Sequence, residues 1–221
     1  MASPRLPGNI VLLLLIFVFL AILVQVGLVR VAFERLGLSQ ASAVLLMTSS
    51  LAGSLINLPL FHITSEPPRP GALPPLGRFW FFQHLEYHGK TLVALNVGGG
   101  LIPFTFSLYL LHHSPLPTGD ALFGVGVVAI IARLFSRPIP GLGIGIPLFI
   151  APVSAALAAL LINQEQSAAL AYISGTLGVL IGADVMRFKD IRRLGVPLAA
   201  IGGAGTFDGI FISGIVAVLL T

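Results

Sequence analysis

The chain has no cysteine, and among its 221 residues only eight are acidic and twelve basic. Without thiols there is no disulfide framework, no thiol nucleophile and no cysteine metal cluster. Charged residues make up 9% of the chain, against about 25% in an ordinary soluble domain. That is too little charge to solvate the surface of a body this size, so most of the surface is expected to face lipid. What fills the chain instead is apolar: 56% hydrophobic residues, with a mean hydropathy of +1.01. Gly 25 and Pro 16 are high counts for a helical protein. Many of them lie inside apolar stretches, where freed backbone groups must find partners other than water.

The ten arginines and two lysines are spread over several loops. Dispersed basicity of this kind orients a membrane protein rather than marking a nucleic-acid surface, and no nucleic-acid partner is expected. Apolar runs cover Asn9 to Val29, Ser39 to Leu60, Thr91 to Leu111, Asp120 to Phe135, Ile139 to Ile162, Gln166 to Met186 and Pro197 to Leu220. The first is longer than a signal-peptide core and no small-residue cleavage site follows it, so it reads as a retained helix. The expected fold is therefore an all-α polytopic membrane protein with about seven transmembrane helices, some broken at Gly or Pro. Residues 1–221 form one transmembrane domain in this reading.

Seven spans put Arg5, Arg69, Arg78, Lys90, Arg133, Arg137, Arg187, Lys189, Arg192 and Arg193 on one side, and only Arg30 and Arg35 on the other. The positive-inside rule then makes the N-terminus cytoplasmic and the C-terminus external. The expected location is a prokaryotic plasma membrane. The loop over 61–90 would be cytoplasmic, with a Pro-rich half and an aromatic half, Arg78-Phe-Trp-Phe-Phe-Gln-His-Leu-Glu-Tyr-His88, suited to the headgroup layer. A few Gly and Pro positions also echo between the runs opening at Gly100 and at Gly143, as a two-helix duplication would.

Ionisable groups inside spans are costly and are functional candidates by default. Asp184, in Gly182-Ala-Asp-Val-Met-Arg187, and Asp208, in Ile201-Gly-Gly-Ala-Gly-Thr-Phe-Asp-Gly-Ile210, fall on consecutive spans. Two carboxylates in one dry site share a proton, because both cannot readily ionise. Regular helices would hold the two at different depths, since Asp184 is about 5 Å before Arg187 and Asp208 about 16 Å past Pro197. They come level if Gly202, Gly203 and Gly205 break the last helix, so that the residues before Thr206 re-enter as loop. The plainer alternatives are an ion pair of Asp184 with Arg187 or Lys189, and a first-turn helix role for Asp208.

These two segments resemble loose variants of the Asp-bearing motifs of the Gly-x-Gly-Asp intramembrane aspartyl proteases. More widely, the order Pro140-Gly-Leu-Gly-Ile-Gly-Ile-Pro147, Ile181-Gly-Ala-Asp184 and Ile201 to Phe211 is similar to a prokaryotic family of integral membrane proteins catalogued as a domain of unknown function. The first resemblance implies an aspartyl hydrolase acting on membrane-protein substrates; the second implies no activity.

Other candidates surround the pair. Arg133 would either snorkel to the interface or serve Asp184 as counter-ion. Asn96, Asn57 and Gln25 are polar groups at lipid depth, and Pro147, Gly203, Gly205 and Thr206 would line a substrate or ion path. His84 and His88 have the spacing of two metal ligands, with His62 as a third, but Glu86 is one residue late for a zinc-peptidase helix. No cofactor is expected. Three functions stay open: a two-aspartate intramembrane hydrolase, a proton- or cation-coupled transporter, and a noncatalytic membrane scaffold. Oligomeric state is not legible.

Overall fold

The computed structural model describes residues 27–67, 89–139, 143–203 and 209–221. Helix α1 (Gly27–Arg35) turns through 111° into α2 (Gln40–Gly53). The corner uses Gly37 at a left-handed φ of 76° and the Ser39 hydroxyl, which accepts from the Ser42 N–H as the α2 N-cap. Strand β1 (Asn57–Thr64) then pairs antiparallel with β2 (Lys90–Asn96). A register shift between Pro59 and Phe61 bulges β1. Proline is tolerated there because β1 is an edge strand.

A π-helical turn (Val97–Leu101) leads into α3 (Ile102–His113), and α4 (Thr118–Phe135) returns. A small hairpin, β3 (Arg137–Ile139) with β4 (Gly143–Gly145), precedes α5 (Ile150–Ile162) and α6 (Ser167–Val179). The α6 helix continues through a π-helical turn (Leu180–Val185) and a 3-10 turn (Phe188–Arg193) to β5 (Leu198–Ile201). β5 lies parallel to β2 with Leu92 opposite Leu198 and Leu95 opposite Ile201, and α7 (Gly209–Leu220) follows.

Helix α6 is the centre of the bundle: Leu170, Ala171, Tyr172 and Ile173 are buried, and α3, α4, α5 and α7 pack on it. Small residues set the spacing. A Cβ on Gly182 would overlap the Ala129 carbonyl, and one on Gly178 would come within 2.6 Å of the Val128 side chain. Glycine here lets backbones touch, which is how helices associate without a hydrophobic drive from water. A smaller core of Ile63, Val93, Ile191, Leu194 and Val196 lies under the sheet.

The structure is mostly helical, as expected, but not all-α. Among the described residues two stretches, Thr118–Phe135 and Ser167–Val185, are long and apolar enough to cross a membrane; the bent pair α1 and α2 makes a third if counted as one span. Four of the apolar runs read as spans change structure partway. Ser39 to Leu60 is α2 followed by strand, Thr91 to Leu111 is strand, π turn and helix, Ile139 to Ile162 holds β4 before α5, and Pro197 to Leu220 holds β5 before α7. A short apolar run in a strand cannot be told from a helix segment by periodicity alone, and here the strands are as apolar as the helices that adjoin them. The chain does change structure at glycines, at Gly98 to Gly100 and at Gly202, but what ends there is a strand and not the expected helix. Phe61 to Thr64, assigned to the 61–90 loop, belong to β1, while the aromatic segment lies outside the described residues.

Candidate functional site

The two parallel strands β2 and β5 each end in glycines, and those glycines interlock. A Cβ on Gly99 would overlap the Gly202 carbonyl, and one on Gly202 would overlap the Gly100 backbone. Gly202 also holds φ at 78°, a left-handed conformation in which a side chain is strained. On the other side, a Cβ on Gly98 would overlap the Ser50 carbonyl of α2, and the Ser50 hydroxyl donates to the Gly98 carbonyl at 2.5 Å. The chain can follow this path only with glycine at these positions.

Asn96 locks the crossing. Its side chain is buried, its Oδ1 accepts from the Gly99 N–H at 2.7 Å, and its Nδ2 donates to the Ser54 carbonyl at 2.8 Å and to Asn57 Oδ1 at 3.0 Å. A Cβ on Gly203 would lie 3.1 Å from the Asn96 carboxamide carbon, so Gly203 rests directly on this amide.

Asp184 enters from below. It stands in the π-helical turn that finishes α6, and its Oδ2 accepts from the Gly202 N–H at 2.8 Å. A charged acceptor on a main-chain donor makes a stronger hydrogen bond than a neutral one. The expected ion pair of Asp184 with Arg187 does not form. Arg187 instead donates to Asp190 at 3.0 Å, to the Ser136 hydroxyl at 2.7 Å and to the Arg133 carbonyl at 2.8 Å, capping the end of α4. Among the described residues the ion pairs join Arg30 to Glu34 and Arg187 to Asp190, so neither Arg133 nor Lys189 pairs with Asp184.

Gly205, Thr206 and Asp208 lie outside the described residues, as do His84 and His88. Pro147 is exposed in the turn before α5, and His62 is exposed on β1 opposite Leu92. Among the described residues no three His, Asp or Glu side chains gather as metal ligands. At the opposite end of the bundle Asp120 is bound by the Asn163 amide at 2.9 Å, and His113 is stacked on Tyr109. Of the residues singled out from sequence, the structure thus brings together Asn96, Gly203 and Asp184, through Gly202. Ser50 and Ser136 gave no such signal: an isolated serine in an apolar run carries no mark of its partner.

The start of α7 can be placed relative to Asp184. Gly214 packs against Thr176, Tyr172 and Gly175 of α6. α7 runs antiparallel to α6, because the Val218 carbonyl meets Arg35 at the end of the bundle where α2 begins, while Ser50, near the other end of α2, meets Gly98. Gly209 is five residues before Gly214, about 7.5 Å of helix, and Asp184 is eight residues past Thr176, about 12 Å. The first residue of α7 therefore stands within about one helical turn of the level of Asp184.

These features define a class: a mostly helical chain with at least two stretches fit to cross a membrane, and two glycine-broken strand-to-helix units crossed over a carboxylate. The chain belongs to the DUF1614 family, a protein family of unknown function whose model matches residues 51–220. No curated protein and no solved structure matches the chain.

Proposed function

We propose that this is a multi-pass protein of the plasma membrane, N-terminus cytoplasmic, in which Asp184 and Asp208 form a two-aspartate hydrolytic site on the cytoplasmic side. The observation that carries the reading is the position of Asp184. Its carboxylate is hydrogen-bonded to Gly202, at the break in the last apolar run, and α7 resumes within about one turn of its level. Asp208 is the residue before that helix. The run before α7 holds strand β5 rather than a regular helix, which is the condition the pairing requires and so supports this reading.

In the reaction, one carboxylate takes a proton from water as the water oxygen adds to the scissile carbonyl carbon of a membrane-protein substrate. The other, protonated, gives its proton to the departing amide nitrogen as the C–N bond breaks. The pair titrates as a unit. The interlocked glycines and Asn96 hold one wall of the site fixed, so the carboxylates need little reorganisation. The paired breaks also suit an alternative, a proton- or cation-coupled transporter built on discontinuous helices, with the same carboxylates as carriers.

The test is cleavage of tagged single-span substrates by the purified chain in bilayers, compared with Asp184→Asn and Asp208→Asn. Asparagine at 184 keeps an acceptor for the Gly202 N–H, so it removes the charge while preserving the fold. Loss of cleavage in both variants, with melting unchanged, supports the hydrolase. Cleavage by both at the wild-type rate removes it, and carboxylate-dependent proton flux in the same vesicles would establish transport instead.

A further inference from the structure

We propose that the basic end of the bundle, where Arg133 in the last turn of α4 and Arg137 of β3 lie by Lys189, Arg192 and Arg193 of the 3-10 turn, binds the phosphate headgroups of anionic phospholipids. This rests on the membrane placement proposed above, though not on the hydrolytic site. The two segments are more than fifty residues apart in sequence and are brought together by one side chain. Arg187 reaches across to the Arg133 carbonyl and the Ser136 hydroxyl, and β3 packs on the 3-10 turn beside it.

The acids near this end are already engaged. Asp190 is held by Arg187 and Asp184 by the Gly202 N–H, while Glu66, whose N–H donates to the Arg192 carbonyl, adds one negative charge at the edge. Among the described residues none of Arg133, Arg137, Lys189, Arg192 and Arg193 has an ion-pair partner. The opposite end differs: Arg30 is paired with Glu34 and Arg35 donates to the Val218 carbonyl. Among the described residues, five bases without an ion pair thus gather at this end, against Arg35 at the other.

What lies beside the bases selects the partner. Exposed Ile130 and Leu134 sit on the last turns of α4, and exposed Val185 and Met186 on the turn that precedes Lys189. A surface with guanidinium and ammonium groups bordering bare aliphatic side chains matches a phosphodiester anion with acyl chains below it. Arginine forks take the phosphate oxygens, lysine acts as a point charge, and the aliphatic side chains meet the tails. A soluble phosphate would satisfy the first contact only.

The full chain, reconstituted in nanodiscs containing phosphatidylcholine and a minority of phosphatidylglycerol, is released into the gas phase and its retained lipids are weighed. Each basic side chain near the surface is expected to favour the anionic lipid by about fivefold. The double variant Arg137→Gln/Lys189→Gln should therefore lose about twentyfold or more of the enrichment, while Arg30→Gln at the other end changes nothing. If the first double variant fails to fold, Lys189→Gln/Arg193→Gln serves in its place, since both side chains are exposed. Enrichment should fall as salt rises. Equal retention of the two lipids, enrichment untouched by either double variant, or full competition by inorganic phosphate at matched ionic strength overturns the proposal. A chain that does not enter nanodiscs overturns the membrane placement itself, a separate and recognisable result.

Discussion

Replacing Asn96 by alanine should be among the most damaging single changes in this protein. The carboxamide makes three hydrogen bonds at a buried position, to the Gly99 N–H, the Ser54 carbonyl and Asn57 Oδ1. Alanine removes all three and strands their partners in a site closed by Gly203. Each neutral bond contributes about 0.5–1.5 kcal/mol net, and each buried group left unsatisfied costs about 1–3 kcal/mol. Asn57 can turn to another partner, so the total is about 3–5 kcal/mol. At about 2–4 °C per kcal/mol for a chain of this size, melting should fall by about 10 °C. The assay is intrinsic-fluorescence melting of the purified chain in one fixed detergent. Asn96→Asp keeps the acceptor for Gly99 but sets a carboxylate against two oxygens, so it should rescue little. Melting of Asn96→Ala within about 2 °C of wild type would refute the reasoning, because it would mean the glycine crossing holds without its lock.

Other expectations follow from the same contacts. Gly202→Ala places a side chain at φ 78° and against the Gly100 backbone, so melting should drop sharply and a positive-φ penalty alone, about 1 kcal/mol, should not account for it. Gly182→Val should separate α4 from α6, because its Cβ would overlap the Ala129 carbonyl; hydrogen exchange measured across Ala129 to Phe135 should rise. Arg187→Gln loses its charged bonds to Asp190 and the α4 end, about 2–4 kcal/mol by melting, and Asp190→Asn should lose less, since Ser136 and the Arg133 carbonyl remain. Tyr172→Phe should change melting little, as the buried Tyr172 hydroxyl has only the Thr176 hydroxyl beside it among the described residues and no well-formed hydrogen bond to lose.

The apolar runs were legible because burial and lipid contact both demand apolar residues, and two of the expected spans match the long apolar stretches Thr118–Phe135 and Ser167–Val185. The breaks were legible for a different reason. Clustered glycines such as Gly98 to Gly100 and Gly202 to Gly203 weaken any helix and permit close backbone contact. The strands were not legible. Thr91 to Asn96 and Leu198 to Ile201 carry neither a helical nor an alternating pattern, and it is their pairing, more than a hundred residues apart in sequence, that makes them strands.

The same division holds at the site. Scarcity of charge alone singled out Asp184, since a carboxylate in an apolar run is costly wherever it lies. Its partner was another matter. Arg187, three residues on, looked like the natural counter-ion, yet its guanidinium turns to Ser136 and the α4 carbonyl, and Asp184 takes a main-chain N–H of Gly202 instead. Composition and hydropathy, which are sums over local chemistry, determined by themselves that this chain is built of apolar segments punctuated by glycine. Which glycines cross, what Asn96 ties together and where Asp184 points were decided by the tertiary structure, because hydrogen bonds form between groups that only folding makes neighbours.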